Sequence, residues 1–140
     1  MADNNTEKIN ASFQAQTMMQ TLGARLTGVS KGCVEIQAPI LPGSQQQHGF
    51  AHAGLTFAIG DSAAGYAALS VMPPDHEVLT SEMKIHLLSP GRGEVLIARG
   101  QVIKPGRRLV IVQADVYART NDEEVHIAML TGTMVPVVPQ

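Results

Sequence analysis

Asp61 is the residue whose position most needs a chemical explanation. It stands between Ala58-Ile59-Gly60 and Ser62-Ala63-Ala64-Gly65, in an apolar stretch that offers no Lys or Arg to neutralise it. Burying an unpaired carboxylate is costly unless it is hydrogen-bonded or held protonated. Asp61 is therefore expected at the edge of a pocket, where its small neighbours leave room for a substrate. The alternatives are a wet stripe of the helix or a subunit interface. In a pocket, a carboxylate can act as a general base or as a nucleophile. Seven residues upstream, Gln45-Gln46-Gln47-His48-Gly49-Phe50-Ala51-His52-Ala53-Gly54 leads into the apolar stretch. A helix that starts there presents unpaired backbone N–H groups at its positive dipole end. Aimed at a carbonyl oxygen, such donors form an oxyanion hole. Gly54 has no side chain to obstruct that approach. In a helix, Gly54 and Asp61 lie about 10 Å apart along the axis, a span that a substrate and a water can bridge.

Other reactive residues carry less. His48 and His52 are four apart in a loop with no third ligand at a suitable spacing, so no metal site is expected, and His52 is read as orienting the loop. His76, His86 and His126 are scattered and expected at the surface or rim. Cys33 has no recognisable His-Asn or His-Asp partner and is expected to be a buried structural thiol. Gly60-Asp61-Ser62 is no nucleophile elbow, because Ser62 would be embedded in a helix and Ala64 occupies the place of the last Gly in Gly-x-Ser-x-Gly. Lys104, Arg107 and Arg108 flank Pro105-Gly106 and suit either a solvated hairpin tip or a phosphate contact.

These residues have to be positioned by elements legible in the pattern. Residues 9–21 show helical spacing. Leu26 and Val29, then Val34, Ile36 and Ala38, read as two strands that turn at Ser30-Lys31-Gly32. Residues 44–51 are a polar loop. Residues 53–71 form a helix apolar on every face, hence buried, and Met72-Pro73-Pro74 stops it. Beyond it the period drops to two. In 79–88, Ser81, Met83, Ile85 and Leu87 face one way, and Glu82, Lys84 and His86 the other. Strands at 94–104, 109–118 and 124–135 follow, joined by turns at Pro90-Gly91, Pro105-Gly106 and Asn121-Asp122. Without intervening helices they must be antiparallel. The expected class is α+β, a long buried helix wrapped by a curved antiparallel sheet of five or six strands.

A chain of 140 residues fits one domain, 1–140, with 1–21 as an N-terminal helical extension. Ten basic and twelve acidic residues give a net charge of −2, which removes the electrostatic footprint of a nucleic-acid binder. Only 16% of residues are charged, so part of the surface is expected to be covered by copies of the same chain. A lone Cys excludes an intrachain disulfide. The polar start of the chain lacks an apolar signal segment, and Asp61 interrupts the apolar stretch 54–72, so a soluble cytoplasmic protein without a membrane span is expected.

His52-Ala53-Gly54, six residues, Asp61 and then Ser62-Ala63-Ala64-Gly65-Tyr66-Ala67-Ala68 resembles the His-Gly-Gly/Asp signature of hotdog-fold acyl-CoA thioesterases of the phenylacetic acid degradation type. Thr80-Ser81-Glu82-Met83-Lys84-Ile85 and Leu87-Leu88-Ser89-Pro90-Gly91 resemble that family's strand after the helix and its following turn. Element order matches from Gly23 to Val135. Ala53 stands where the middle Gly is commoner, and Gln46 or Gln47 falls near a frequent Asn. The resemblance implies the hotdog fold and hydrolysis of an acyl-CoA, with coenzyme A as part of the substrate and no metal or redox cofactor. It implies Asp61 as general base or nucleophile, the Gly54 N–H as oxyanion donor, and Gln46 or Gln47 as the residue that places water. Thr80 or Ser81 would come from the neighbouring subunit of a homodimer, itself paired into a homotetramer. His52, Ala53 and Ser62 would line the substrate, and Arg107 and Arg108 would meet the coenzyme A phosphates. A non-catalytic acyl-CoA-binding hotdog is the alternative from another functional class.

Overall fold

The structure is a computed structural model that describes residues 4–139. Along the chain it places helices α1 (Asn4–Ala15) and α2 (Thr17–Thr21), strands β1 (Arg25–Ser30) and β2 (Cys33–Pro39), and helix α3 (Ala53–Leu69). Strands β3 (Glu77–Leu87), β4 (Val95–Lys104), β5 (Val110–Thr120) and β6 (Glu123–Val137) follow. All six strands form one antiparallel sheet in the order β1-β2-β4-β5-β6-β3. The expected α+β architecture is present, and β3 is an edge strand despite its place in mid-sequence.

Small residues decide how α3 meets the sheet. Ala63, Ala64, Ala67 and Ala68 are fully buried. A Cβ built on Gly100 of β4 would lie 2.4 Å from the carbonyl carbon and oxygen of Ala63 and 2.6 Å from the Ala64 nitrogen. The helix backbone therefore rests on the strand itself, and no side chain could be inserted between them. Around this contact, alternate residues of the strands close the core: Val34, Ile36 and Ala38; Leu96 and Ala98; Val112, Ala114 and Val116. Toward the far end of α3, Phe13 meets the Tyr66 ring edge-on, and Ile9 and Met19 are buried in the same core. There the Asn5 amide donates to the carbonyls of Ser70 and Met72, satisfying helix-end acceptors.

Four readings of the pattern need correction. The N-terminal helix begins at Asn4 and breaks at Gln16, whose backbone is extended, so α1 and α2 are separate. α3 ends at Leu69 rather than Val71, with the Ser70 hydroxyl turned back onto the Ala67 carbonyl. In β3 the register slips between Thr80 and Glu82, so Ser81 is the extra residue of a bulge. A bulge inverts the alternation: Val78 and Thr80 face inward before it, Met83 and Ile85 after it, while Leu87 is 59% exposed. Cys33 is exposed, because it opens β2 on the side shared with Glu35 and Gln37.

That outer face carries a polar network. Arg99 donates to Glu35 and, through both terminal nitrogens, to Glu124, and its guanidinium lies over the Tyr117 ring. Tyr117 stacks on His126, which pairs with Asp115. Among the described residues no helix is long and apolar enough to cross a membrane.

If α3 rests on β4 backbone to backbone, Gly100→Ala must push helix and strand apart. Overpacking of this kind costs about 1–3 kcal/mol, so the urea midpoint followed by circular dichroism should fall clearly. An unchanged midpoint would show that the two backbones have slack.

Candidate active site

Asp61 leaves α3 two residues before its contact with β4, on the side that faces the edge strand. There the Thr80 hydroxyl donates to its Oδ1 at 2.8 Å. Asp61 is half-buried, and among the described residues no cation lies in ion-pair contact with it. Burial therefore pushes its carboxyl above the usual aspartate range, and the Thr80 hydrogen bond offsets only part of that rise. The group opens into a cleft of about 240 Å³ lined by Ser62, Gly65, Tyr66, Val78, Thr80 and Met134. Ser12 and Gln16 close its far wall, and the Tyr66 hydroxyl accepts from the Gln16 amide at 2.7 Å.

The loop before α3 is held by its own hydrogen bonds. Gln45 bridges to Ala51, and the His52 N–H donates to the Ser44 carbonyl. The Gln46 side-chain oxygen accepts from the His48 and Phe50 N–H groups, so this residue shapes the loop. Ala51 N–H donates to the Gly91 carbonyl at 2.9 Å, joining the loop to the turn after β3. The two segments enclose a second cleft of about 490 Å³, with Gln46, Phe50, Ala53 and Thr56 on one side and Leu87 to Gly91 on the other.

At the helix start the expected donor is already engaged. His52 is the N-cap, and its Nδ1 accepts the Gly54 N–H at 2.8 Å, which leaves the ring proton on Nε2. Leu55 and Thr56 donate to the His52 carbonyl. Among the described residues the Ala53 N–H has no acceptor, and Ala53 lines the loop cleft. The open donor of this helix start is thus the Ala53 N–H, not that of Gly54.

The remaining expected residues fall in several places. Ser62 shares the Asp61 cleft. Thr80 meets Asp61 within one chain, and Ser81 is exposed on the bulge and lines neither cleft. Gln46 borders the loop cleft, whereas Gln47 is exposed and lines neither. Arg107 borders a separate hollow with Val71, Met72 and His76, beyond the C-terminal end of α3, and Arg108 beside it is exposed. Both lie at the end of the helix opposite Ala53. The Ser12–Gln16–Tyr66 wall and the placement of the Arg92 guanidinium 4.6 Å above the Phe50 ring escaped the sequence reading. No periodicity or spacing links residues so far apart in the chain.

Residues 48–125 match the Thioesterase superfamily, a segment that includes the end of the loop with His52, all of α3 and Thr80. A thioesterase family protein from Silicibacter pomeroyi is 41% identical, with 96% of this chain and 99% of that one covered and a TM-score of 0.94. The PaaI protein of the E. coli phenylacetic acid degradation operon is 18% identical over 96% of this chain and 94% of its own, with a TM-score of 0.85. A Bacillus halodurans protein solved with CoA is 23% identical over 98% and 93% of the two chains, at a TM-score of 0.78. The fold is the hotdog fold.

Because a donated hydrogen bond favours the ionised carboxylate, removing it must raise the Asp61 pKa further. A carbon-detected NMR titration should place the Asp61 midpoint above the usual range, and Thr80→Val should move it higher still. A midpoint unmoved by Thr80→Val would mean that the hydroxyl does not act on this carboxylate.

Proposed function

This chain belongs to the Thioesterase superfamily, and from that premise we propose that it hydrolyses acyl-CoA thioesters to the free acid and CoA. The observation that carries the reading is Asp61: a half-buried carboxylate, oriented by Thr80 and facing a cleft, with no cation among the described residues paired to it. A protein that merely bound acyl-CoA would gain nothing from that desolvation cost. The ionised carboxylate takes a proton from the attacking water, or attacks the carbonyl carbon itself. The Ala53 N–H, at the positive end of α3, stabilises the oxyanion that forms. In the first route the carbon–oxygen bond forms, the carbon–sulfur bond breaks, and the proton taken from water leaves with the CoA thiol. In the second, loss of the CoA thiolate leaves an Asp61–acyl anhydride, which water hydrolyses to the free acid and the restored carboxylate while the remaining proton passes to the thiolate. The B. halodurans protein of the same fold holds CoA, which agrees with that carrier.

The two halves of this machinery belong to different subunits of a homodimer. In one chain Ala53 and Asp61 are eight residues apart, about 12 Å along the helix axis, and they line separate clefts. The Asp61 cleft borders the beginning of β3, at Val78 and Thr80; the loop cleft borders its end, at Leu87 and Leu88. β3 is an eleven-residue edge strand with Leu79 and Leu87 exposed, and the exposed Leu88 follows it. Such an edge is a template for pairing with a second chain. If two copies pair antiparallel through β3, the two-fold axis brings the beginning of one strand to the end of the other. One subunit's Asp61 cleft then meets its partner's loop cleft. The same contact covers Phe57, which is 37% exposed on the α3 stripe between Ala53 and Asp61.

Asp61→Asn keeps an acceptor for Thr80 and removes the charge. Thiol release from acyl-CoA should fall by ~10²-fold or more, with thermal stability at neutral pH equal to or above that of the unaltered protein. Full activity would remove Asp61 from the mechanism. Proline is tolerated at the first helical position and has no N–H. The extended backbone of His52, with φ −66° and ψ 142°, also suits a following proline. Ala53→Pro should therefore stay folded and lose ~10²–10³-fold in kcat.

Mixing the two inactive variants tests the shared site. In a hybrid dimer one site carries both defects and the other carries none, so activity should return. Absence of recovery in verified hybrids would place Ala53 and Asp61 of one chain in the same site.

A further inference from the structure

Among the described residues two arginines, Arg92 and Arg99, lie over aromatic rings, and their surroundings differ in a way that matters. Arg99 stands over Tyr117, but its donors are spent on Glu35 and Glu124. Arg92 stands over Phe50, and among the described residues its side chain makes no ion pair and no hydrogen bond. A ring face holds a guanidinium through its π cloud without consuming an N–H, so Arg92 is held in place with its donors free. The mounting is firm. Arg92 follows Gly91 and Phe50 precedes Ala51, and Ala51 and Gly91 are the pair whose backbones are hydrogen-bonded. A Cβ on Gly91 would come within 2.9 Å of the Ala51 Cβ, so the two segments are in contact at that point.

Phe50 and Gly91 also line the loop cleft that Ala53 borders. A thioester whose carbonyl oxygen meets the Ala53 N–H and whose acyl side lies toward Asp61 directs its sulfur and carrier along this cleft, out past Phe50. Resting on the thioesterase reading, we propose that Arg92, mounted on Phe50, binds a phosphate of the coenzyme A nucleotide at the mouth of this cleft. Arg107 and Arg108, beyond the other end of α3, do not. Guanidinium donors form a fork that fits phosphate oxygens, and a pre-positioned fork loses less freedom on binding than a mobile side chain.

The test compares two carriers of one acyl group. The best-hydrolysed of butyryl-, hexanoyl- and phenylacetyl-CoA is assayed beside the same acyl group on N-acetylcysteamine, which lacks the nucleotide and its phosphates. Arg92→Ala should raise KM for the acyl-CoA by ~10-fold or more, the scale of a lost charge-assisted hydrogen bond, while kcat changes little. It should leave the N-acetylcysteamine thioester unaffected. Arg92→Lys, which keeps the charge and loses the fork, should fall between. The proposal is overturned if Arg92→Ala alters both substrates equally or neither, or if the KM rise belongs instead to Arg107→Ala/Arg108→Ala. Should the unaltered protein release thiol from neither carrier, the thioesterase reading fails by itself. Calorimetric titration with CoA then decides for Arg92: weaker binding by Arg92→Ala supports the phosphate contact, and equal binding removes it.

Discussion

The contact between the backbone of α3 and Gly100 is the constraint on which the rest of the molecule depends. A helix that carried large side chains on this face would stand about 10 Å from its sheet. Here Ala63 and Ala64 bring it down onto β4 itself. So close a seat leaves little freedom to roll or slide, and Asp61, two residues earlier, is thereby held at a fixed height above the sheet edge. Thr80 can then meet its carboxylate at hydrogen-bonding distance. Precision at the site comes from packing elsewhere, in residues with no chemistry of their own.

The price of the site is electrostatic. Asp61 is raised above its ordinary pKa by burial, so its ionised form destabilises the fold at any pH above that of the unfolded carboxyl, and the destabilisation is relieved as pH falls and the group takes up a proton. Thr80 moderates this cost without neutralising the charge. A Lys or Arg in Thr80's place would stabilise the protein more, but it would also lower the basicity that the proposed chemistry uses. A hydroxyl orients the carboxylate and still leaves its pKa above the ordinary aspartate range.

The edge position of β3 ties assembly to function in the proposed arrangement. Its exposed leucines and unpaired backbone favour a second copy, and the two clefts lie at its opposite ends. The bulge at Ser81 turns Thr80 inward while the rest of the strand keeps its apolar alternation, so one strand serves the core, the carboxylate and the edge.

Local pattern sufficed for much of this. Asp61 stood out because a charge in an all-apolar helix has no cheap explanation, and Met72-Pro73-Pro74, the Pro-Gly turns and the period-two runs marked out the helix and its sheet. Those features depend on residues near one another in the chain. What local pattern left open, only packing in three dimensions resolves. Thr80 rather than Ser81 meets Asp61 because a bulge, invisible to alternation, shifts the register. Ala53 rather than Gly54 offers the open N–H because the His52 ring caps Gly54. Cys33 is exposed because the first residue of β2 faces outward. Arg92 joins Phe50 because a hydrogen bond between Ala51 and Gly91 closes a loop against a turn forty residues away. Residue pattern alone marked out the long helix, the strands and the carboxylate. Packing in three dimensions decided which of several adjacent polar groups meets Asp61 and which helix-start N–H stays open, because that depends on register, capping and the height at which the helix sits on the sheet.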